Sequence, residues 1–169
     1  GLTEMTIPFV GTRRGNSGYD GLFGYIFYSD VSTGARSVQQ YYGTRYNYYS
    51  NFYIPTNLTK VVVTDETSLG YGAFYGCEDL KSVTLGDSLN TIGDYAFYNC
   101  KGVESVKIGE GVTSIGSSTF AGCSDGLFDV TTIPGFKLID GWVVGYTDAL
   151  SGEVDLTGVR GISASVLYN

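Results

Sequence analysis

The sequence predicts a right-handed, β-rich solenoid of stacked coils, built from short strands and single turns and interrupted by two insertions. Cys77, Cys100 and Cys123 lie 23 residues apart, and each closes a similar phrase: LGYGAFYGC, IGDYAFYNC or IGSSTFAGC. A short apolar phrase precedes each one: LTKVVVTDE, LKSVTLGDS or VESVKIGEG. Glycine is abundant (25) and proline scarce (3), which is typical of many tight turns. Such a period indicates units that bury their apolar sides against neighbouring units.

We interpret the whole chain, 1–169, as a single domain with five parts. A repeat begins in the first part and breaks off, three complete repeats fill the middle, and a partial repeat ends the chain. The parts are the repeat start at 2–8, a Tyr-rich insertion at 9–57, three repeats at 58–126, a β-hairpin insertion at 127–152 and a partial repeat at 153–169.

Each repeat opens with a strand phrase in which apolar and polar positions alternate. Val83 and Leu85 are therefore predicted to point inward, and Thr84 outward. The Ala-Phe pair that follows is predicted to lie on a single helical turn. Because successive coils repeat the same residue at the same height, we expect a column of rings and a ladder of buried, free thiols. These structural residues are Phe74, Phe97, Phe120, Cys77, Cys100 and Cys123.

The Tyr-rich insertion contains nine of the fifteen tyrosines, all between residues 19 and 53. FGYIFY (23–28) has the aromatic and β-branched content of a strand. The segment 39–55 is predicted to be extended. The insertion therefore has strands of its own, and its tyrosines could cover it by packing across strands or could contact a ligand.

The second insertion contains two apolar phrases around Asp140-Gly141, which predicts a β-hairpin with Trp142 on its second strand. After the hairpin the repeat pattern returns. Val154 and Leu156 correspond to the inward strand residues of the earlier repeats, and Val166-Leu167 corresponds to Ala-Phe. Both ends fall within a repeat and neither has a polar cap, so we expect end-to-end self-association.

Composition excludes several classes of function. The net charge of −7 argues against nucleic-acid binding, and the chain lacks an apolar run long enough for membrane insertion. There is no histidine, so neither a Ser-His-Asp nor a Cys-His site can form, and we predict no enzyme activity and no cofactor. The thiols lie a repeat apart, which argues against a metal site. The acidic pairs Asp65-Glu66 and Glu78-Asp79 are predicted to be solvated turns rather than Ca²⁺ ligands.

At the phrase V-x-x-I-G-x-x-A-F-x-x-C the sequence resembles the BspA-like leucine-rich repeats, closely over 58–126 and partially over 2–8 and 153–169. These repeats occur in surface proteins of anaerobic bacteria and of some parasitic protists. The resemblance implies a leucine-rich-repeat solenoid, an extracellular location at the cell surface, and adhesion to host proteins or other cells. It also implies that the chain is a fragment of a longer bacterial array.

The candidate binding residues combine aromatic groups of the insertion with the outward faces of the strands. Tyrosine and arginine are over-represented at binding hot spots. The candidates are Tyr41, Tyr42, Arg45, Tyr46, Tyr48 and Tyr49 in the insertion, and Thr84 and Lys107 on the strands. We expect protein partners, with glycan binding by the insertion and a purely structural stalk as the alternatives.

Overall fold

The computed structural model describes residues 1–27, 34–44, 48–147, 150 and 152–167. These residues form strands of two to seven residues and three 3₁₀ helices, Gly18–Gly21, Phe23–Ile26 and Asp125–Leu127. The strands are β1 (Glu4–Ile7), β2 (Ala35–Tyr41), β3 (Tyr49–Pro55), β4 (Lys60–Val63), β5 (Ser68–Leu69), β6 (Ser82–Leu85), β7 (Thr91–Ile92), β8 (Ser105–Lys107), β9 (Ser114–Ile115), β10 (Phe136–Ile139), β11 (Trp142–Tyr146) and β12 (Gly161–Ile162).

Two parallel sheets run along the stack of coils. One has the strand order β1-β4-β6-β8 and the other β5-β7-β9, so each of the three complete repeats contributes one strand to each sheet, and β1 extends only the first sheet. The register joins equivalent positions of successive repeats, as in Val61 beside Val83 and Val83 beside Val106. These inward valines are buried, whereas Lys107 is exposed. The 23-residue period therefore places the same residue at the same height in each coil.

A column of phenylalanine rings fills the interior. The ring centroids of Phe74 and Phe97 lie 5.0 Å apart and those of Phe97 and Phe120 lie 5.4 Å apart, with nearly parallel planes. Each ring lies in a single backbone turn; in one of them the Cys77 N–H donates to the Phe74 carbonyl (3.1 Å). Phe74, Phe97 and Phe120 are all buried, so the column forms the apolar centre of the stack.

Phe23 extends this column by one ring, at 4.8 Å from Phe74. The strand predicted for 23–28 is therefore wrong: the described part of that segment contains the 3₁₀ helix Phe23–Ile26. The physical reason is a backbone contact between coils. The Phe23 N–H donates to the Ala73 carbonyl (2.7 Å), just as the Phe74 N–H donates to the Ala96 carbonyl (2.7 Å). Leu22-Phe23 thus occupies the turn position that Ala-Phe occupies in the later coils.

The Tyr-rich insertion forms an antiparallel hairpin of β2 and β3 beside the coils. Val38, Phe52 and Ile54 are its buried apolar side chains. Val38 and Ile54 join the same apolar core as the phenylalanine column. One side of the hairpin is therefore part of the core, and its other side carries exposed polar and tyrosine side chains.

At the C-terminal end, β10 and β11 pair antiparallel around Asp140 and Gly141, which both have positive φ. Both residues belong to types that tolerate this conformation. Val154 and Leu156 were predicted to correspond to the inward strand residues of the earlier repeats. This prediction is wrong, because residues 153–156 form no strand and Val154 is exposed. The short β12 pairs with β11 of the hairpin instead.

No strand forms at 153–156 because side chains already bond to the backbone directly after β8. These are the N–H and C=O groups that a further parallel strand would need. Asp140 Oδ2 accepts from the Ile108 N–H (2.8 Å). Arg160 donates through Nη1 to the Ile108 carbonyl (2.9 Å) and through Nη2 to the Gly109 carbonyl (2.8 Å). The two side chains also form an ion pair at 3.0 Å. Arg160 and Asp140 therefore cap the four-stranded sheet after β8, whereas the Ala164 N–H continues the stack at β9 by donating to the Ile115 carbonyl (2.8 Å).

Replacing Arg160 with methionine is expected to lower the free energy of unfolding by about 2–3 kcal/mol. Each lost hydrogen bond to a charged group contributes about 1.5–3 kcal/mol, and water recovers part of this stabilisation by bonding to the freed carbonyl groups. The variant should also associate at high concentration, since it exposes a strand edge. Urea unfolding and light scattering measure the two effects. Arg13→Met, in an exposed loop, is the control; equal stability of both variants would contradict the capping role.

Candidate recognition surface

The β2–β3 hairpin is anchored to the coils by one buried amide, that of Gln40. Its Oε1 accepts from the Gly24 N–H (2.6 Å) and its Nε2 donates to the Tyr75 carbonyl (3.1 Å). In the next coil the equivalent carbonyl, that of Tyr98, accepts instead from the backbone N–H of Gly76 (2.8 Å). In the later coil, the backbone of the preceding coil donates this hydrogen bond. At Tyr75 the side chain of Gln40 donates it instead. Nothing in the local sequence distinguishes it from its exposed neighbour Gln39.

A second anchor is ionic. Arg36 on β2 contacts Glu78 Oε2 through Nη1 (3.2 Å) and Asp79 Oδ1 through Nη2 (3.0 Å). Lys101 of the following coil contacts the other oxygen of Glu78 (2.7 Å). Glu78 and Asp79 were predicted to lie in a solvated turn. They instead form ion pairs with Arg36 of the hairpin, and Glu78 also pairs with Lys101 of the next coil.

These anchors place tyrosines of the hairpin beside tyrosines of the coils. The Tyr41 ring lies 4.9 Å from Tyr75, which stacks on Tyr98 at 5.0 Å. Tyr49 is 5.5 Å from Tyr41, and Tyr95 is 5.3 Å from Tyr98. Consecutive rings are thus in contact along one surface. We call this the tyrosine surface; it consists of Tyr49, Tyr41, Tyr75, Tyr98, Tyr95 and Tyr71.

Two rings of the tyrosine surface, Tyr75 and Tyr71, have a raised pKa and are neutral at pH 7. Burial, followed by the neighbouring Tyr98, raises the pKa of Tyr75 to about 12. Burial also raises the pKa of Tyr71, with smaller effects from Tyr95 and Asp94. A neutral phenol offers both an apolar ring and a hydroxyl that can donate or accept a hydrogen bond. The surface can therefore contact a partner through both kinds of interaction.

Of the predicted aromatic residues, the structure divides those it describes between two groups. Tyr41 and Tyr49 belong to the tyrosine surface. Tyr42 and Tyr48 stack on each other at 5.6 Å, and Tyr19 lies 5.8 Å from Tyr42. Arg45 and Tyr46 were also predicted and lie outside the described residues.

The predicted strand residues lie on a different part of the coil. Thr84 and Lys107 are neighbours across β6 and β8, in one row with Thr6 and Val62. The tyrosine surface instead lies on β2, β3 and the turns that carry the phenylalanine column. Thr84 and Lys107 are therefore on the four-stranded sheet, separate in the fold from the aromatic groups. Ion pairs occupy part of the next row, with Lys60 3.2 Å from Glu4.

The carboxylate of Glu66, predicted to be solvated, is buried and serves as a loop anchor. Oε2 accepts from the Val10 N–H (3.0 Å). Oε1 accepts from the N–H groups of Gly15 (2.6 Å) and Thr67 (2.9 Å). The prediction was wrong because the loop that covers Glu66 is more than fifty residues earlier in the sequence. A carboxylate that accepts several backbone N–H groups stabilises a local loop conformation.

The cysteine ladder is free of disulfides. Cys77 and Cys100 are buried and Cys123 is partly buried. The Cys100 thiol donates to the Phe74 carbonyl (3.1 Å) and the Cys123 thiol to the Phe97 carbonyl (3.2 Å). Burial raises the pKa of all three thiols, and that of Cys123 to about 11. Neutral, buried thiols are poor nucleophiles, so the ladder is structural.

These pKa shifts predict that stability falls at alkaline pH. Above about pH 8.5 the unfolded thiols lose protons while the folded thiols keep them, so the free energy of unfolding falls by about 1.4 kcal/mol per pH unit and thiol. For Cys123 the fall ends near its folded pKa of about 11. Urea unfolding across this range measures the slope. Cys123→Ala should show a shallower slope than the parent; identical slopes would contradict the assignment.

The chain contains no histidine. Within the described ranges, no group of three His, Cys, Asp or Glu side chains could hold a metal ion. In that same part of the chain, no helix has the length and apolar character needed to cross a membrane.

The stacked parallel strands, the 23-residue coil and the internal phenylalanine column define a β-solenoid of the leucine-rich-repeat type. The family model described as "BspA type Leucine rich repeat region (6 copies)" matches residues 47–157, which is more than half of the chain. The chain therefore belongs to this family. Neither the curated proteins nor the solved structures include a match to it. Members of this family are repeat proteins that take part in protein–protein interaction, and they are typically non-enzymatic and surface-associated.

Proposed function

We propose that the chain is a non-enzymatic recognition module of a cell-surface protein, and that it binds protein partners in adhesion through its solenoid surface. The observation that carries this proposal is the tyrosine surface. It joins the hairpin to two successive coils by ring contacts of 4.9–5.5 Å. The family membership supports the same class of function.

The physical chemistry of this surface suits a protein partner. Tyrosine offers a large contact area, and it loses little conformational entropy because it has only two side-chain torsions. Rings that already contact one another lose less freedom on binding, which favours affinity. The ion pairs of Arg36 and Lys101 with Glu78 lie beside the rings and provide a polar border. An apolar centre with a polar border is the usual arrangement of a binding interface.

The four-stranded sheet contributes less to this proposal. Its outward row consists of Thr6, Val62, Thr84 and Lys107, which are small or flexible side chains. Such residues are seldom hot spots. Thr84 and Lys107 therefore remain candidates for contacts outside the main interface.

A binding experiment with matched tyrosine variants tests the proposal. The probe is an immobilised panel of purified extracellular-matrix proteins, read by surface plasmon resonance. The double variant Tyr41→Ala/Tyr49→Ala should bind its partner at least about tenfold more weakly, since hot-spot truncations cost 2 kcal/mol or more. Tyr146→Ala, an exposed tyrosine on β11, is the control and should bind like the parent.

Two outcomes would count against this function. One is the absence of binding across the panel by the parent chain. The other is equal binding by the parent and the double variant, which would place the contact elsewhere on the solenoid. Circular dichroism of each variant establishes that the fold is retained before binding is compared.

A further inference from the structure

A groove lies where the β2–β3 hairpin meets the turns of two successive coils. Its volume is about 250 Å³. Its lining includes one ring, two amides, an ion pair and a glycine: Tyr75, Gln39, Asn99, Arg36, Glu78 and Gly76. None of these residues was a candidate in the sequence, since they come from three separate segments that only the docked hairpin brings together.

The lining combines an aromatic wall with several planar polar groups. Tyr75 presents a ring that Tyr41 and Tyr98 hold in place at 4.9 and 5.0 Å. The amides of Gln39 and Asn99 each carry donors and an acceptor, and the Gln39 Oε1 already accepts from the Tyr41 hydroxyl (3.0 Å). Arg36 has five N–H groups, and its ion pairs use only the Nη1 and Nη2 atoms. Such a set can match a ligand with one apolar face and a rim of hydroxyl groups.

The charge of the groove favours a neutral ligand. Arg36 and Lys101 are balanced by Glu78 and Asp79 within 3.2 Å. The chain as a whole carries a net charge of −7, which disfavours an anionic ligand. The volume is slightly below the range of about 300–1,000 Å³ found for drug-sized ligands, so one small ring fits and an extended chain does not.

We propose that this groove binds one ring of a neutral saccharide. The apolar face of the sugar packs on Tyr75, and its hydroxyl groups bond to the Gln39 and Asn99 amides and to the Arg36–Glu78 pair. Neighbouring sugars of a longer glycan would extend into solvent. This proposal does not rest on protein binding by the tyrosine surface, although the two sites share Tyr75 and the Arg36–Glu78 ion pair.

Gly76 offers a way to fill the groove at a left-handed backbone position that asparagine adopts elsewhere in the stack. Its φ is +69°, and a Cβ there would lie 3.5 Å from the Gln39 carbonyl and from Val38, which is ordinary contact. Asn99 occupies the equivalent position of the next coil with φ 56°. Gly76→Asn therefore places a side chain in the groove in a conformation that asparagine tolerates. Gly18→Asn is the matched control, because Gly18 has φ +73° and open space around it.

The experiment is saturation-transfer NMR of the chain with glucose, galactose, mannose and N-acetylglucosamine, with sialic acid as the anionic comparison. At least one neutral sugar should bind with a millimolar dissociation constant. Gly76→Asn should weaken that binding at least about tenfold, which is 1.4 kcal/mol. Gly18→Asn should leave it unchanged, and Gln39→Ala should weaken it without affecting the fold.

The absence of a signal from every neutral sugar, or equal binding by the parent and Gly76→Asn, would overturn the proposal. Preference for sialic acid would contradict the neutral ligand. Binding of Gly76→Asn to the protein panel is measured in parallel. Loss of sugar binding with retained protein binding supports a separate saccharide site, so failure here and failure of the protein-recognition proposal are distinguishable.

Discussion

Replacing Phe97 with alanine is expected to lower the free energy of unfolding by about 3–5 kcal/mol. Phe97 is fully buried and contacts a ring on each side, Phe74 at 5.0 Å and Phe120 at 5.4 Å. The substitution leaves a cavity in the middle of the column and removes both ring contacts. Because each coil buries its apolar side only against its neighbours, the stack cannot compensate elsewhere.

Urea unfolding followed by circular dichroism measures this effect. Phe97→Leu is the matched variant; it keeps most of the buried volume and should cost clearly less. Phe128→Ala, whose ring is only partly buried, is the control for loss of a phenyl group. A cost below about 1 kcal/mol for Phe97→Ala would contradict a column that carries the stability of the stack.

The coils and their column could be predicted because a fixed period carries register as well as secondary structure. The spacing of Cys77, Cys100 and Cys123 states which residues lie at the same height. Parallel pairing of β4, β6 and β8 in that register follows from it. The phenylalanine rings stack for the same reason, since the Ala-Phe phrase keeps a constant offset from each strand.

The fold of Phe23 could not be predicted from local pattern. The phrase FGYIFY has the composition of a strand, and a loop separates it from the start of its coil. Its register comes from a backbone contact with Ala73, fifty residues later. A signal was nonetheless present: the pair Leu22-Phe23 has the same apolar-Phe form as the Ala-Phe pairs. Local propensity was overridden by tertiary contact.

Buried polar anchors were missed for a related reason. Glu66 and Arg160 are charged residues of the kind that usually lie on the surface. In the structure they form hydrogen bonds with backbone groups of distant segments. Gln40 does the same for Gly24 and Tyr75. Such partners are backbone N–H and C=O groups, which every residue possesses, so residue type gives no sign of them. Gln40 is the anchor that places Tyr41 of the hairpin beside Tyr75 of the coil in the tyrosine surface.

Replacing Gln40 with alanine is expected to lower the free energy of unfolding by about 2–4 kcal/mol. The amide is fully buried, and its loss leaves the Gly24 N–H and the Tyr75 carbonyl without their partner. Each buried polar group left in this way costs about 1–3 kcal/mol. The hairpin also loses the contact that holds Tyr41 beside Tyr75, so we expect faster proteolysis within 34–55.

Urea unfolding and limited proteolysis with mass spectrometry measure the two effects. Gln39→Ala is the matched control, since the neighbouring glutamine is exposed and its loss should change stability by less than about 0.5 kcal/mol. Equal stability of the two alanine variants, or equal cleavage of their hairpins, would show that the hairpin is held by its apolar side alone.

Gln40→Glu separates the donor from the acceptor role of the amide. An ionised carboxylate can still accept from the Gly24 N–H but cannot donate to the Tyr75 carbonyl, and its burial as a charge is unfavourable. Burial raises the pKa of such a carboxyl, so the folded variant binds a proton that the unfolded chain has released. Stability of Gln40→Glu should therefore rise as the pH falls from about 7 toward about 4, relative to the parent. A parallel pH dependence in the two proteins would contradict burial of the side chain at residue 40.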